Sequence, residues 1–254
     1  MSIRSRVLPV LPLALYSKAV GWMAARRWPR PVVSAAIRAF ARKFGVDTSE
    51  AAQDIGEFET FQDFFSRQLR PNARPIDRAA TLVSPADGLV VSADRVHAGS
   101  TVQAKGISYD VGTFIGEPAK LENGHQVTIY LSPRDYHRVH VPCAGAIVGV
   151  RRFAGRRLPV GVAYAASIPH LFEENERAVF SIKTTAGVVA VVMVGATGVS
   201  AIRASVSVGD RVEPGDELGV FLLGSTVVTI WDAAVGDASS VAAGDVVRVG
   251  QRIV

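Results

Sequence analysis

The sequence predicts an α+β fold in which amphipathic N-terminal helices lead into a mostly antiparallel β domain, and three observations carry that prediction. Up to about residue 80, apolar residues recur at helical spacing. From about Thr81 the chain changes to short, Val-rich segments punctuated by Gly, Asp and Pro, the pattern of strands joined by tight turns. Near the C-terminus, Gly209-Asp210-Arg211-Val212-Glu213-Pro214-Gly215-Asp216-Glu217-Leu218 recurs as Gly244-Asp245-Val246-Val247-Arg248-Val249-Gly250-Gln251-Arg252-Ile253. Such a repeat predicts two similar halves. The division that follows is a helical region, residues 1–80, and a β-rich domain, residues 81–254.

Composition bounds the partners. A chain of 254 residues with 48% hydrophobic residues can build a large core. Cys143 is the single cysteine, which excludes an intrachain disulfide and a multi-cysteine metal site and fits a reducing, cytoplasmic setting. A formal charge of +5 and a pI near 9.6 favour an anionic partner: a nucleic acid, a phosphorylated metabolite or an anionic membrane surface. Pro9, Pro12, Lys18 and the arginines from Arg26 onward keep every apolar run short of the roughly 18 residues of a membrane span.

In the helical region, Leu13, Tyr16, Val20 and Met23 form one stripe, with Trp22 beside it and Arg26, Arg27, Trp28 and Arg30 beyond. A second stripe sets Val33, Ile37, Phe40 and Phe44 against Arg38, Arg42 and Lys43. Basic amphipathic helices ending in tryptophans suit a membrane interface, and equally a stripe that packs on the protein's own core. A third helix is expected at Thr60, where Thr60 and Asp63 have capping-box spacing and Phe61, Phe64, Phe65 and Leu69 supply the buried side. Arg70-Pro71-Asn72-Ala73-Arg74-Pro75 ends it as a connector.

In the β domain the expected strands are Gly88–Ala93, Gln126–Leu131, Gly145–Val150, Ala178–Lys183, Val188–Val194 and Leu218–Leu223. The repeat of Gly-Asp and Gly-Asp/Gln corners resembles that of lipoyl- and biotinyl-carrier domains and predicts a lipoyl-like barrel-sandwich core. No lysine occupies the turn that bears a carrier's cofactor, so carrier function is not expected.

The chemistry centres on Leu222-Leu223-Gly224-Ser225-Thr226, a Gly-Ser-Thr step inside an otherwise apolar strand pattern that continues to Trp231. It reads either as a bulge or as a scissile peptide bond. In the second case the Ser225 hydroxyl attacks the Gly224 carbonyl, and elimination leaves a pyruvoyl group at residue 225. Tyr136-His137-Arg138-Val139-His140 offers two imidazoles three residues apart, each a candidate base or a structural histidine in a turn. A zinc site lacks a third ligand of recognisable spacing. Asp87, in Ser84-Pro85-Ala86-Asp87-Gly88, is a turn-former or the carboxylate that orients an imidazole.

Several blocks resemble the bacterial phosphatidylserine decarboxylase proenzymes: Phe61–Asp77, Ser84–Gly88, Lys105-Gly106 with Tyr109, Tyr130–Pro142, Asn175-Glu176-Arg177, Val194–Thr197 and Leu223–Thr226. The chain departs from the pattern at Gly198–Ile202. The resemblance implies a carboxy-lyase that converts phosphatidylserine to phosphatidylethanolamine after self-cleavage between Gly224 and Ser225. Asp87, His140 and Ser225 would form the cleavage triad, His137 would serve decarboxylation, and Tyr130 would neighbour the substrate. It further implies a β subunit Met1–Gly224 and an α subunit Ser225–Val254, paired as a heterodimer with further oligomerisation left open. The cofactor would be a pyruvoyl group derived from Ser225, without metal. The partners would be phosphatidylserine and an anionic membrane rather than nucleic acid, with the protein peripheral on the cytoplasmic side and Arg151, Arg152, Arg156 and Arg157 near lipid phosphate or in a solvated loop.

Overall fold

The computed structural model describes residues 13–104, 107–117, 121, 123–196, 202–222, 225–236 and 240–254. The sequence features at Lys105, Gly106, Thr197, 198–201, Leu223 and Gly224 lie outside them. The architecture is mixed helix and mostly antiparallel sheet, the main sheet being curled into a half-barrel.

Among the described residues three helices occupy the N-terminal region: α1 (Leu13–Ala25), α2 (Arg30–Phe44) and α3 (Phe61–Phe65). Pro31 suits the first turn of α2, where its missing N–H is not needed, and Gly45 stops the helix in the left-handed region at φ 72°. Helix α2 buries Val33, Ser34 and Ile37, while Arg38, Arg42 and Lys43 are exposed. Val33 and Ile37 cluster with Val46, Ala51, Phe58 and Phe64, and Phe40 meets Phe61 edge-on at 5.0 Å. The capping box forms as the spacing predicts: Asp63 N–H donates to Thr60 Oγ1 (3.0 Å) and Thr60 N–H donates to Asp63 Oδ2 (3.1 Å). The intervening stretches 45–60 and 66–80 are not helical, because turn-formers such as Asp47, which accepts from Ser49 N–H, and the prolines at 71 and 75 interrupt the helical pattern.

The main sheet has eight strands: β1 (Gly88–Val96), β4 (Gly124–Leu131), β6 (Gly145–Phe153), β7 (Arg177–Lys183), β8 (Val188–Gly195), β10 (Arg211–Val212), β12 (Ser225–Asp232) and β13 (Val246–Val247). Their order is β10-β6-β7-β8-β12-β4-β1-β13, antiparallel throughout. A smaller sheet runs β5 (Arg138–His140), β11 (Glu217–Phe221), β9 (Ile202–Ala204), and β2 (Ser100–Ala104) pairs with β3 (Ile107–Asp110). Short helices α4 (Val111–Ile115), α5 (Val162–Ala165) and α6 (Leu171–Glu174) complete the fold. Each expected strand is present, most of them longer than the Val-rich runs suggested, and the last ends at Phe221. The unanticipated β2, β3, β9, β10 and β13 are two to five residues long and too short to show a period.

The sheet separates two apolar clusters, and strand alternation assigns faces to them. Val227 and Trp231 of β12 join the cluster that holds Ala86, Val139, Leu218 and Phe221, whereas Val228 and Ile230 join the one that holds Phe114 and Phe172. Strand β12 is central, registered from Ser225↔Leu131 to Asp232↔Gly124 on β4 and from Ser225↔Gly195 to Trp231↔Val189 on β8. Val227, Val228, Ile230 and Trp231 are wholly buried. At roughly 1.5–3 kcal/mol each, they would contribute on the order of 6–12 kcal/mol to holding this strand in place.

The internal repeat is a repeat of turns. Glu213 N–H donates to Asp216 Oδ2 (2.8 Å), and at the equivalent position Arg248 N–H donates to Gln251 Oε1 (2.7 Å). Gly215 (φ 95°) and Gly250 (φ 86°) both abut Ile76, where a Cβ would sit 2.9 and 2.7 Å from its side chain, so glycine is required at both for conformation and for space.

Candidate active site

Asp87 ends a turn in which Ser84 Oγ donates to the Ala86 carbonyl (2.7 Å). A Cβ on Gly88 would lie 2.3 Å from the Tyr130 carbonyl, so glycine lets β1 begin hard against β4 directly after Asp87. The Asp87 carboxylate accepts from Arg74 Nε (3.0 and 2.9 Å), from Arg74 Nη2 (2.5 Å) and from Val249 N–H (2.8 Å). The same guanidinium holds Glu50 at 3.0 and 2.8 Å. The side chains of Arg74 and Asp87 are 10% and 8% exposed, so removing Arg74 would leave the nearly buried Asp87 charge unpaired, at a cost of roughly 3–5 kcal/mol. Arg74 carries no signal in spacing or composition that marks it as the partner of Asp87. Nothing in the sequence reading singled it out.

His140 lies on β5, its N–H donating to the Pro85 carbonyl (2.8 Å), which ties it to the turn before Asp87. Its Nδ1–H donates to the Gly215 carbonyl (2.7 Å), so Nε2 carries the lone pair and accepts from the Tyr136 hydroxyl (3.2 Å). The rings of His140 and Tyr136 stack at 5.6 Å. Burial pushes the His140 pKa below the ordinary imidazole value, against the opposing pull of the Gly215 carbonyl, Glu217 and Asp87. The Gly215 carbonyl, and not the Asp87 carboxylate expected to orient the ring, engages Nδ1, the Tyr136 hydroxyl engages Nε2, and Asp87 acts on His140 through its charge.

His137 is wholly buried. Its Nδ1–H donates to the Asp135 carbonyl (2.9 Å), its ring packs on Phe65 at 4.1 Å, and Nε2 has no partner. Burial pushes its pKa down to about 3; the Asp135 hydrogen bond opposes this and the positive charge of Arg67 adds to it. The His137 carbonyl accepts from Phe221 N–H (3.0 Å).

Ser225 opens β12 at 1% exposure, and its Oγ has no partner. It shares the face of Val227 and so points to the cluster that holds Ala86 and Val139. The chain between Phe221, tied to His137, and Ser225, locked between Leu131 and Gly195, is thus fixed at both ends. Gly224 lies outside the described residues. Tyr130 stands apart from this set: it registers with Thr226 and packs against the opposite cluster, on the other face of the sheet. Burial, with Asp135, raises its hydroxyl pKa. Among the described residues no group of three or more His, Cys, Asp or Glu is placed to hold a metal ion.

The buried neutral His137 makes stability pH-dependent. Its folded pKa, about 3, lies below the unfolded value near 6.5, so the unfolded chain binds the extra proton between these limits. Stability is then lost as pH falls from about 6.5 toward 3, with a slope of roughly 1.4 kcal/mol per pH unit from this one group. In urea titrations of the Ser225→Ala chain at stepped pH, adding His137→Gln should remove about one proton's worth of slope; an unchanged slope would show that His137 is not neutral and buried.

A buried serine with an unpartnered hydroxyl, two imidazoles with free or singly engaged Nε2 atoms, and a nearly buried carboxylate are the nucleophilic and acid–base groups of this region. The family model for phosphatidylserine decarboxylase matches residues 61–254, which span all of them. The phosphatidylserine decarboxylase proenzyme of Anaeromyxobacter sp. (strain K) is 40% identical over 89% of this chain and 88% of its own. That of Myxococcus xanthus (strain DK1622) is 40% identical over 98% and 96%, and that of Psychrobacter arcticus 36% identical over 96% and 97%. With the match running through both histidines, the serine and the turn of Asp87, the chain belongs to the phosphatidylserine decarboxylase family.

Proposed function

We propose that this chain is a phosphatidylserine decarboxylase proenzyme that cleaves itself between Gly224 and Ser225 and then converts phosphatidylserine to phosphatidylethanolamine. The observation that carries the reading is Ser225 itself: a buried hydroxyl with no hydrogen-bond partner, at the first position of a strand pinned on both sides. A native protein rarely leaves such a group unpaired without a use for it.

His140 Nε2 takes the Ser225 proton as Oγ attacks the Gly224 carbonyl carbon, and the amide nitrogen leaves that carbon with a proton, giving an ester. Loss of the Ser225 Cα proton expels the Gly224 carboxylate from Cβ; the resulting enamine takes up water and releases ammonia, leaving a pyruvoyl group at residue 225. Asp87, held by Arg74, supplies the negative charge that favours the imidazolium of His140. The site fits the pyruvoyl group because the only side-chain atom it consumes is the partnerless Oγ. Once formed, the group provides an electron sink for the pair released with carbon dioxide. His137, neutral and walled by Phe65, presents its Nε2 lone pair to the substrate ammonium, takes a proton there, and returns it to the carbon that carbon dioxide leaves. Tyr130, on the opposite face of the sheet from Ser225, has no contact with the substrate in this reading.

In this reading residues 1–80 are the membrane-associating region and 81–254 the catalytic domain, with a lipoyl-like core supported by the matched turns at 213–216 and 248–251. No helix among the described residues is long and apolar enough to cross a membrane. Docking on a membrane surface, in this reading the cytoplasmic one, draws its support from an apolar groove of about 390 Å³ lined by Val20, Met23, Trp28 and Val32, and from Arg26, which lies over the Trp22 and Trp28 rings at 4.9 and 5.5 Å; these features bear on docking and not on the side. Amphipathic α2 adds Arg38, Arg42 and Lys43. Intact-mass analysis of the purified protein tests the central claim. Two chains are expected, Met1–Gly224 and a shorter one whose start is blocked to Edman degradation and reactive to carbonyl reagents. A single active chain of full mass would defeat it.

A further inference from the structure

Arg67, just beyond α3, is 5% exposed, and its guanidinium is left wanting. Nε has no partner, and Nη1 and Nη2 reach only the carbonyls of Phe64 (3.5 Å) and Arg134 (3.4 Å), both at the limit of hydrogen bonding. No described carboxylate lies within ion-pairing distance, whereas the neighbouring Arg74 has Asp87 and Glu50, and Arg138 has Glu217. A buried cation with no carboxylate in contact, Asp87 and Glu50 acting on it only from farther off, is costly and is kept where something else supplies the charge.

Its surroundings say what. Arg67 lines a cleft of about 370 Å³ together with Arg138, Arg203 and Leu222, the last only two residues before Gly224. Arg138 Nε donates to the Ser66 and Arg67 carbonyls (2.9 and 3.3 Å), which fixes Arg67 to the strand of His140. Arg203 is exposed and in no ion pair with a described residue. The carboxylates on the rim are engaged elsewhere: Asp63 in the Thr60 cap, Glu57 with the Asp54 N–H, Glu59 with Arg27. Phe61 lines the apolar groove of the N-terminal helices and the next residue, Gln62, lines this cleft, so an apolar receptacle and a polar one floored by Arg67 meet at α3.

We propose that Arg67, assisted by Arg203 at the mouth of the cleft, is the receptor for the phosphodiester of the phospholipid headgroup. This rests on the decarboxylase reading above. The substrate carries two anions, and the reaction distinguishes them. A guanidinium on the carboxylate would stabilise the charge that carbon dioxide release must disperse, and so would oppose the reaction. The phosphodiester is unchanged from substrate to product, so binding it lowers KM without burdening the chemical step.

The test separates this proposal from the reading beneath it. Arg67→Met and Arg203→Gln are each assayed with a short-chain phosphatidylserine below its micellar concentration, after intact mass has established cleavage. Both variants should cleave like the parent. Arg67→Met should raise KM about tenfold or more, and Arg203→Gln by a few-fold, with kcat little changed. Glycerophosphoethanolamine, which has the phosphodiester and no carboxylate, should inhibit the parent competitively and lose that effect on Arg67→Met; 3-hydroxypropanoate, with the carboxylate alone, should inhibit parent and variant equally. A fall in kcat at unchanged KM, or equal inhibition of both by the phosphodiester, overturns the assignment. If Arg67→Met does not fold, an unchanged KM in the surface variant Arg203→Gln does the same. Absence of cleavage or turnover in the parent would instead sink the decarboxylase reading.

Discussion

Ser225→Ala is expected to give one uncleaved chain with no decarboxylation above background. The substitution keeps Cβ and the backbone and removes one atom, Oγ, which makes no hydrogen bond. The pairing of residue 225 with Leu131 and Gly195 runs through the main chain and is untouched. The fold should therefore survive, and relief of a buried hydroxyl's desolvation would leave stability unchanged or higher by roughly 1 kcal/mol. Activity should vanish all the same, because Oγ is at once the nucleophile of cleavage and the oxygen displaced in making the pyruvoyl group. Thermal unfolding beside intact mass and turnover distinguishes lost chemistry from lost structure. A Ser225→Ala chain that still splits after Gly224, or one inactive only because it has unfolded, would contradict this account.

The same reasoning explains why cleavage need not dismantle the domain. The proposed break lies just before β12, the strand with Val227, Val228, Ile230 and Trp231 wholly buried and partners on both sides. On the order of 6–12 kcal/mol of apolar burial then holds the shorter chain in place, enough to outweigh the added freedom of two ends. The new terminus stays beside the elements that carry Asp87, His137 and His140.

What the sequence disclosed, it disclosed through local rules. The Thr60–Asp63 cap and the Val-rich apolar runs of β4, β7 and β8 depend on neighbours in sequence, and each was legible there. The missed strands are two to five residues long and owe their existence to a partner far along the chain, as β13 does to β1. At the proposed site, Ser225, His137, His140 and Asp87 stand out in the sequence by their chemistry and by resemblance. Their connections do not: Asp87 is bound by Arg74, thirteen residues away, and His140 accepts from Tyr136. Arg67 reads in the sequence as one more basic residue after an aromatic run, and only its burial without a carboxylate marks it. Tyr130 illustrates the converse, since strand parity at Leu131↔Ser225 puts its neighbour Tyr130 on the far face.

His137→Ala should separate the two reactions, yielding correctly cleaved chains that decarboxylate about 10²–10⁴ times more slowly, the range of a lost acid–base group. Cleavage should persist because its base, His140, keeps its own supports: the Gly215 carbonyl, the Tyr136 hydroxyl and the Pro85 carbonyl do not involve the His137 ring. The contact that joins His137 to Phe221 is between main-chain atoms and survives truncation. Turnover should fail because Nε2 of His137 is the one imidazole nitrogen of the pair with nothing bound to it. Replacing the ring also leaves a void against Phe65, so His137→Gln, which fills more of that space, provides the control for packing. If the Gln variant cleaves and is as slow as the Ala variant, the loss belongs to proton transfer; if it regains parental kcat, His137 serves only to pack the site. Should both variants remain uncleaved, His137 rather than His140 would be the base for Ser225, and the two histidines would exchange roles.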